Sequence, residues 1–202
     1  MRIERLVIGS TNPGKIKEWK LLLKGFPLVS IAEVGKFPEP QEDGQTFSEI
    51  AKRKAKHYAR LSKDFVLAED GGFEIDFLDG APGVKSRRVL PGDKEGTDQE
   101  LIDFVMDKLK GVPESKRGAK LITSVVLADP KGRIIYEDMG EIRGEVPLKA
   151  SPNLEPGYPY RSVFFIPGAN KYYVDLTEGE HRKFNHRSPV ARRLAKFLLE
   201  YK

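Results

Sequence analysis

The sequence contains no cysteine, and this absence excludes several kinds of site. Disulfide bonds, thiolate catalysis and cysteine-ligated zinc all require thiols, so none of them fits this chain. The chain has three histidines, His57, His181 and His186, and such a small number argues against a metal site built from several imidazoles.

The sequence also contains no long apolar run, and we do not expect its first residues to act as a secretory leader. No apolar stretch approaches the ~20 residues that a membrane-spanning helix needs. The first residues, MRIERLVIG, are too short and too interrupted by charge to form a secretory signal peptide. We therefore expect a soluble, cytoplasmic protein that does not bind a membrane.

The charge of the chain is moderately basic, with 35 Lys and Arg against 30 Asp and Glu, a formal net charge of +5. The basic residues are dispersed among the acidic ones and form no long block. Such an excess is compatible with a nucleic-acid partner. It is equally compatible with a small polyanionic substrate, so charge alone does not distinguish these two classes of partner.

The 202 residues suit a single domain that can bury a sizeable core. Apolar spacing, capping residues and turn signals together predict a mixed α/β protein, with a βα start, a long central hairpin and a C-terminal helix. The predicted strands cover residues 2–9, 28–32, 65–68, 73–77, 119–128, 133–146, 163–166 and 172–175; the predicted helices cover residues 16–25, 46–61 and 97–109 and begin again at 188 or 189.

A loop of small and polar residues, STNPGK (residues 10–15), separates the first strand from the first helix. A helix N-terminus offers unpaired N–H groups and a positive dipole end, both of which attract anions. Ser10, Thr11 and Asn12 add side-chain donors, and Lys15 adds a positive charge. The Walker pattern is missing, and an ordinary capped turn explains the same residues slightly better.

A second polar stretch, LAEDGGFEID (residues 67–76), places two carboxylates, Glu69 and Asp70, at the end of an apolar run. Magnesium binds one or two carboxylates together with substrate phosphates, and Glu49 could supply another. Neighbouring residues of a strand point in opposite directions, so Glu69 and Asp70 could not both bind the metal in the same way. Since Asp-Gly is a common turn pair, a hairpin turn is favoured on this stretch alone.

Two further stretches combine groups that suit a nucleotide. His186 and Arg187 precede the last helix, where arginine could grip a phosphate and histidine could donate a hydrogen bond. Tyr158 and Tyr160 lie in a Gly/Pro loop and could stack on a flat base. A solvated basic helix start and a loop packed over the core are the simpler interpretations of these two stretches.

Taken together and in this order, these stretches resemble the inosine-triphosphate pyrophosphatase (HAM1-like) family. The matching segments span nearly the whole chain: STNPGKIKE, TFSEIAKRKA, LAEDGGFEID with LDGAPGVKSRR, GTDQE, GYPYRSVFFIPG and NHR. The resemblance implies an elongated mixed sheet with flanking helices and a cleft between two lobes, all within one domain over residues 1–202. It also implies a Mg²⁺-dependent homodimer that cleaves deaminated purine triphosphates such as ITP, XTP and dITP to the monophosphate and pyrophosphate.

The resemblance carries roles onto individual residues. It makes Asp70 the metal-associated residue that activates water, with Glu69 as a less certain catalytic partner, and it makes Glu49 and Asp70 the metal ligands. It assigns substrate binding to residues from several parts of the chain: Ser10, Thr11, Asn12, Lys15, Gly71, Arg88, Tyr158, Tyr160, Arg161, His181, His186 and Arg187.

Several positions depart from the family pattern. Gly71 replaces a serine, His181 replaces a lysine, and Arg161 replaces an aspartate expected to read the base edge. The last change turns an acceptor-only group into a donor-only group, so we hypothesise a shifted or relaxed base preference. A catalytically degenerate nucleotide-binding protein and a basic nucleic-acid-binding protein are the alternatives, and the enzyme ranks first because Lys15, Glu49 and Asp70 occur together.

Overall fold

The computed structural model of the chain describes residues 3–41 and 43–201. Within these ranges it contains seven strands in one mixed sheet, in the order β2-β1-β3-β4-β5-β6-β7, with flanking helices. The predicted mixed α/β class is therefore confirmed. The strands are β1 (Leu6–Ile8), β2 (Leu28–Ser30), β3 (Phe65–Ile75), β4 (Gly118–Ala128), β5 (Ile134–Glu145), β6 (Phe165–Ile166) and β7 (Lys171–Tyr172); the helices are α1 (Pro13–Leu22), α2 (Ile31–Val34), α3 (Phe47–Ser62), α4 (Asp98–Lys108), α5 (Glu178–Phe184) and α6 (Arg187–Glu200).

The residues group into two compact units. The first unit comprises Met1–Gly71, Thr123–Gly140 and His186–Lys202, and the second comprises Gly72–Ile122 and Glu141–Asn185. None of the helices in the described part of the chain is long and apolar enough to cross a membrane.

In the first unit, β1 pairs in parallel with both β2 and β3. It is buried on both faces, as the strands of parallel sheets usually are. Leu6 and Ile8 belong to a core cluster that includes residues of α1 and α6, whereas Val7 belongs to a cluster with residues of α3. The period of two along the strand thus assigns alternate side chains to two separate cores.

The predicted first strand begins at Arg2, which lies outside the described residues. The prediction that failed most clearly is the hairpin turn at Asp70-Gly71, because both residues lie inside the continuous strand β3. A tight hairpin turn requires left-handed backbone at its central residues. Gly71 and Gly72 are not among the glycines with positive φ, so they extend the strand instead of reversing it.

The second unit is built around a core cluster to which α4 contributes Leu101, Ile102 and Val105. Thr97 caps α4 through the predicted capping box with Glu100. The last two predicted strands are shorter than expected: β6 and β7 span two residues each, and the backbone then forms a short 3₁₀ turn over Tyr173–Asp175. The short helix α5, which the sequence interpretation missed, begins behind another capping box at Thr177.

Candidate active site

The loop after β1 is a capped helix start. The Asn12 side-chain oxygen accepts hydrogen bonds from the backbone N–H groups of Gly14 (2.9 Å) and Lys15 (3.1 Å), and Ser10 Oγ accepts one from Asn12 N (3.2 Å). Pro13 occupies the first helical turn, where its missing N–H costs nothing. Two of the N–H groups that could have held an anion are thus occupied by Asn12, which supports the capped-turn interpretation and leaves the Lys15 side chain as the loop's cationic group.

Strand β3 directs its two adjacent carboxylates to different partners. Glu69 contacts residues of α1 and α6, whereas Asp70 contacts α3. This division follows the strand period of two, as expected for neighbouring residues of an extended segment. Glu69 and Asp70 therefore belong to two separate groups of side chains, although they are consecutive in the sequence.

Glu69 is 4% exposed and lies in a dense cluster of donors. Its two oxygens accept from Arg187 Nε at 3.0 and 2.9 Å, from Arg187 Nη2 and from the indole N–H of Trp19, and Lys15 Nζ lies 3.5 Å from Oε1. Burial alone would raise the pKa of Glu69, but the charges of Arg187 and Lys15 and the hydrogen bonds from Arg187 outweigh it and hold the pKa well below its usual range. These contacts favour the ionised form of the Glu69 carboxylate in the folded protein.

Arg187, at the start of α6, is held from two sides. Its Nη1 lies 3.0 Å from Glu18 Oε2 and 2.9 Å from His186 Nε2, while Nε and Nη2 bind Glu69. Arg187 is 4% exposed, so the guanidinium is buried among these partners. The bidentate phosphate contact predicted for it would require an exchange of these hydrogen bonds.

Asp70 forms the second group. It is 8% exposed, and its Oδ1 accepts from Lys54 Nζ at 2.9 Å. Lys54 is a functional candidate that the sequence interpretation missed. A signal was available, because Lys54 lies two turns after the capping residue Thr46 on the same face of α3.

Glu49 lies at the exposed start of the same helix, and its Oε2 accepts from Gln45 N at 2.8 Å. No group of three or more His, Asp or Glu side chains suited to a metal occurs in residues 3–41 and 43–201. The protein therefore offers Glu49 and Asp70 as separate carboxylates rather than as part of a closed metal cage. Gly71 follows Asp70 within β3 and contributes no side chain.

The tyrosine loop lies in the second unit. Tyr160 is buried; it donates to Ser86 O and stacks on Phe73 with 5.2 Å between ring centroids. Its role is thus core packing, and burial raises the pKa of its hydroxyl above the ordinary value. Arg88 is exposed on the segment that follows Ser86.

Arg161 is 6% exposed in the same unit. Its Nη1 donates to Glu155 Oε2 at 2.7 Å, and its guanidinium lies 3.9 Å from the ring centroid of Tyr158 and 5.3 Å from that of Tyr173. The ring of His181 meets Tyr173 edge-on at 5.0 Å. Glu155, which the sequence interpretation did not single out, thus engages the arginine that departs from the family pattern.

Comparisons with known proteins identify the family of the chain. The model of the Ham1 family matches residues 6–197. The dITP/XTP pyrophosphatase of Leuconostoc mesenteroides is 36% identical over 199 residues, covering 96% of both chains, and that of Bacillus subtilis is 33% identical over 198 residues, covering 97% of this chain and 98% of its relative.

Solved structures show the same fold. A HAM1 protein from Coxiella burnetii superposes with a TM-score of 0.85 at 28% identity, covering 99% of this chain and 100% of that one. The Staphylococcus aureus Ham1 protein gives a TM-score of 0.82 at 26% identity, covering 98% and 100%. The family match over nearly the whole chain, with these relatives and this fold, shows that the chain belongs to the Ham1 family.

Proposed function

We propose that this protein hydrolyses non-canonical purine nucleoside triphosphates such as ITP, XTP and dITP to the monophosphate and pyrophosphate. The observation that carries the proposal is the Asp70–Lys54 pair, in which a buried carboxylate on strand β3 is held by the ammonium group of a lysine on helix α3. The relatives are named dITP/XTP pyrophosphatases, which supports the same substrate class here.

In the proposed reaction Asp70 accepts a proton from water, and the water oxygen forms a bond to the α-phosphorus. The bond from the α-phosphorus to the bridging oxygen breaks, and pyrophosphate departs with the electron pair. Lys54 orients Asp70 through their 2.9 Å hydrogen bond. Lys15, which is 19% exposed at its side chain, supplies positive charge for the departing phosphates.

The residues present fit a magnesium ion shared with the substrate. Magnesium usually takes only one or two protein carboxylates and completes its shell with phosphates and water, so a three-residue cluster is not required. Asp70 and Glu49 are the carboxylates that would hold it. When bound, the ion would neutralise charge on the phosphate oxygens.

We further propose that the base preference differs from that of relatives with aspartate at position 161. Arg161 is engaged by Glu155, so the carboxylate nearest to this position belongs to Glu155 rather than to residue 161. Arg161 can only donate hydrogen bonds, so it would favour acceptor groups of a base over the keto purine N–H that an aspartate would accept. Assembly into a homodimer stays a prediction, which light scattering at several protein concentrations would test.

The proposed function is tested by pyrophosphate release from a panel of ITP, XTP, dITP, dUTP, ATP and GTP, each with and without magnesium. We expect turnover only with the metal, fastest for a deaminated purine, with the monophosphate as the second product. Binding of nucleotides without turnover of any of them would favour the degenerate nucleotide-binding protein. Steeply salt-sensitive binding of DNA or RNA, together with no turnover, would favour the nucleic-acid-binding alternative.

A further inference from the structure

We propose that Glu69 is a positioning residue and not a proton acceptor: anchored by the indole N–H of Trp19, it holds Lys15 and Arg187 in the arrangement that the nucleotide meets. This inference rests on the proposed function for its substrate. It assigns the two adjacent carboxylates different tasks, with Asp70 facing the reaction and Glu69 facing the protein.

The first support is the occupancy of the Glu69 oxygens. Oε1 accepts from Arg187 Nε at 3.0 Å and from Arg187 Nη2, and it pairs with Lys15 Nζ at 3.5 Å. Oε2 accepts from Arg187 Nε at 2.9 Å and from Trp19 Nε1. A carboxylate oxygen has two lone pairs, so donors of the protein already use those of both oxygens.

The second support is the location of these donors on different elements of the first unit. Lys15 and Trp19 come from α1, Glu69 comes from β3, and Arg187 comes from α6. The Glu69 carboxylate on β3 is thus the common acceptor for donors from two helices, α1 and α6. Loss of its charge would release a lysine and an arginine together.

The third support is chemical. A general base must reach a water molecule and must bind its proton near the working pH. Glu69 is 4% exposed and its oxygens are engaged by Trp19, Lys15 and Arg187, so a water molecule could reach it only if the cluster first came apart. Asp70 lies outside this cluster: its Oδ1 accepts a hydrogen bond from Lys54 of α3 and not from Lys15, Trp19 or Arg187.

The chain provides a built-in reporter of this arrangement. Trp19 is its single tryptophan and is 1% exposed, so its indole N–H gives one resonance that reports the contact with Glu69. The hydrogen bond to a carboxylate moves that resonance downfield.

The experiment compares Glu69→Gln, Glu69→Asp and Trp19→Phe with the matched control Asp129→Asn. Asp129 is also a buried carboxylate of the first unit, 3% exposed and paired with Arg133 at 2.6 Å, but it closes the turn between β4 and β5. For each variant we would measure the Kd for a non-hydrolysable triphosphate analogue, kcat and KM as functions of pH, and the free energy of unfolding. The indole resonance would be measured in the wild type and in the variants that keep Trp19.

We expect Glu69→Gln to move the indole resonance and to weaken nucleotide affinity about 10- to 100-fold, the usual effect of losing a group that orients a functional side chain. The acid limb of the kcat profile should remain, because it does not belong to Glu69. Glu69→Asp, which keeps the charge, should recover part of the affinity, and Trp19→Phe should weaken affinity without altering the pH profile. Asp129→Asn should lower stability and leave the resonance and affinity unchanged.

The inference is overturned if Glu69→Gln keeps wild-type affinity while kcat falls about 1,000-fold or more and the acid limb disappears, because that is how a lost proton acceptor behaves. Wild-type affinity in Trp19→Phe would likewise overturn the anchoring role of the indole. Since resonance and affinity are measured without turnover, they test the positioning of Lys15 and Arg187 even if the wild type cleaves no triphosphate, which would instead refute the proposed function.

Discussion

The contacts of Arg161 allow us to predict how much unfolding free energy is lost when this residue is replaced. The change Arg161→Leu keeps apolar bulk at this position but removes the guanidinium. The ion pair with Glu155 at 2.7 Å and the cation–π contact with Tyr158 at 3.9 Å are therefore lost. The Glu155 side chain is 42% exposed, so solvent screens the ion pair and we assign it about 0.5 to 1 kcal/mol. The Arg161 side chain is 7% exposed, so its cation–π contact is shielded from water and contributes about 1 to 2 kcal/mol more.

The expected loss is therefore about 2 kcal/mol of unfolding free energy, or a fall in Tm of roughly 4 to 8 °C for a chain of this size. Arg161→Lys should lose about half as much, because an ammonium keeps the charge but cannot stack flat on the ring. Thermal and urea unfolding measure both changes, and the nucleotide panel measures selectivity on the same samples. We expect the ratio of kcat/KM values between keto purines and other bases to change in Arg161→Leu.

The matched control is Arg182→Leu in the same unit. Arg182 pairs with Glu178 at 3.2 Å, but both side chains are strongly exposed, so this change should stay within about 0.5 kcal/mol of the wild type. Equal stabilities of Arg161→Leu and Arg182→Leu would refute the reasoning about burial. An unchanged selectivity ratio in Arg161→Leu would refute the proposed effect on base preference.

Three further predictions concern the first unit. Lys54→Met should lower kcat about 100-fold or more in pyrophosphate-release assays, with folding retained by circular dichroism, because it removes the ammonium that orients the catalytic carboxylate. Gly140→Ala should lower the unfolding free energy by about 1 to 3 kcal/mol and weaken nucleotide affinity, because a Cβ there would lie 2.2 Å from the carbonyl oxygen of His186. Gly179→Ala is the control and should be harmless, because the atom nearest to a Cβ at that position would be 3.9 Å away. The depressed pKa of Glu69 means that its ionised form stabilises the fold above the pKa of about 4.5 that it has in the unfolded chain, and that this contribution is lost as the pH falls toward the folded-state pKa. The urea midpoint of Glu69→Gln should therefore fall less steeply with acid than that of the wild type. Parallel curves for the two proteins would contradict this.

The fold class could be predicted because capping residues and apolar periods are local signals. Thr46 and Thr97 cap α3 and α4 as expected. The prediction of a turn at Asp70-Gly71 was wrong because the sheet overrides the local preference of Asp-Gly: strand β3, which lies between β1 and β4, continues through both residues. Short elements such as α2 and β7 carry too few residues for a period to be recognised.

The candidate site could be predicted only in part. Motif residues such as Lys15, Asp70 and Arg187 stand out because their residue types suit phosphate chemistry. Trp19 has a helical spacing that indicates core packing, and its indole donor to Glu69 becomes visible only when α1 is placed against β3. Contacts between residues 50 or more positions apart depend on the tertiary fold, which no local pattern encodes.

The central claim is that Asp70 is the group that activates water, and Asp70→Asn tests it most directly. The amide keeps the size of the side chain and can still accept a hydrogen bond from Lys54, but it cannot take a proton. In a pyrophosphate-release assay with ITP, XTP and magnesium, we expect turnover to fall by about 1,000-fold or more while nucleotide binding and the unfolding transition stay near wild type. Turnover within a few-fold of the wild type would contradict the account.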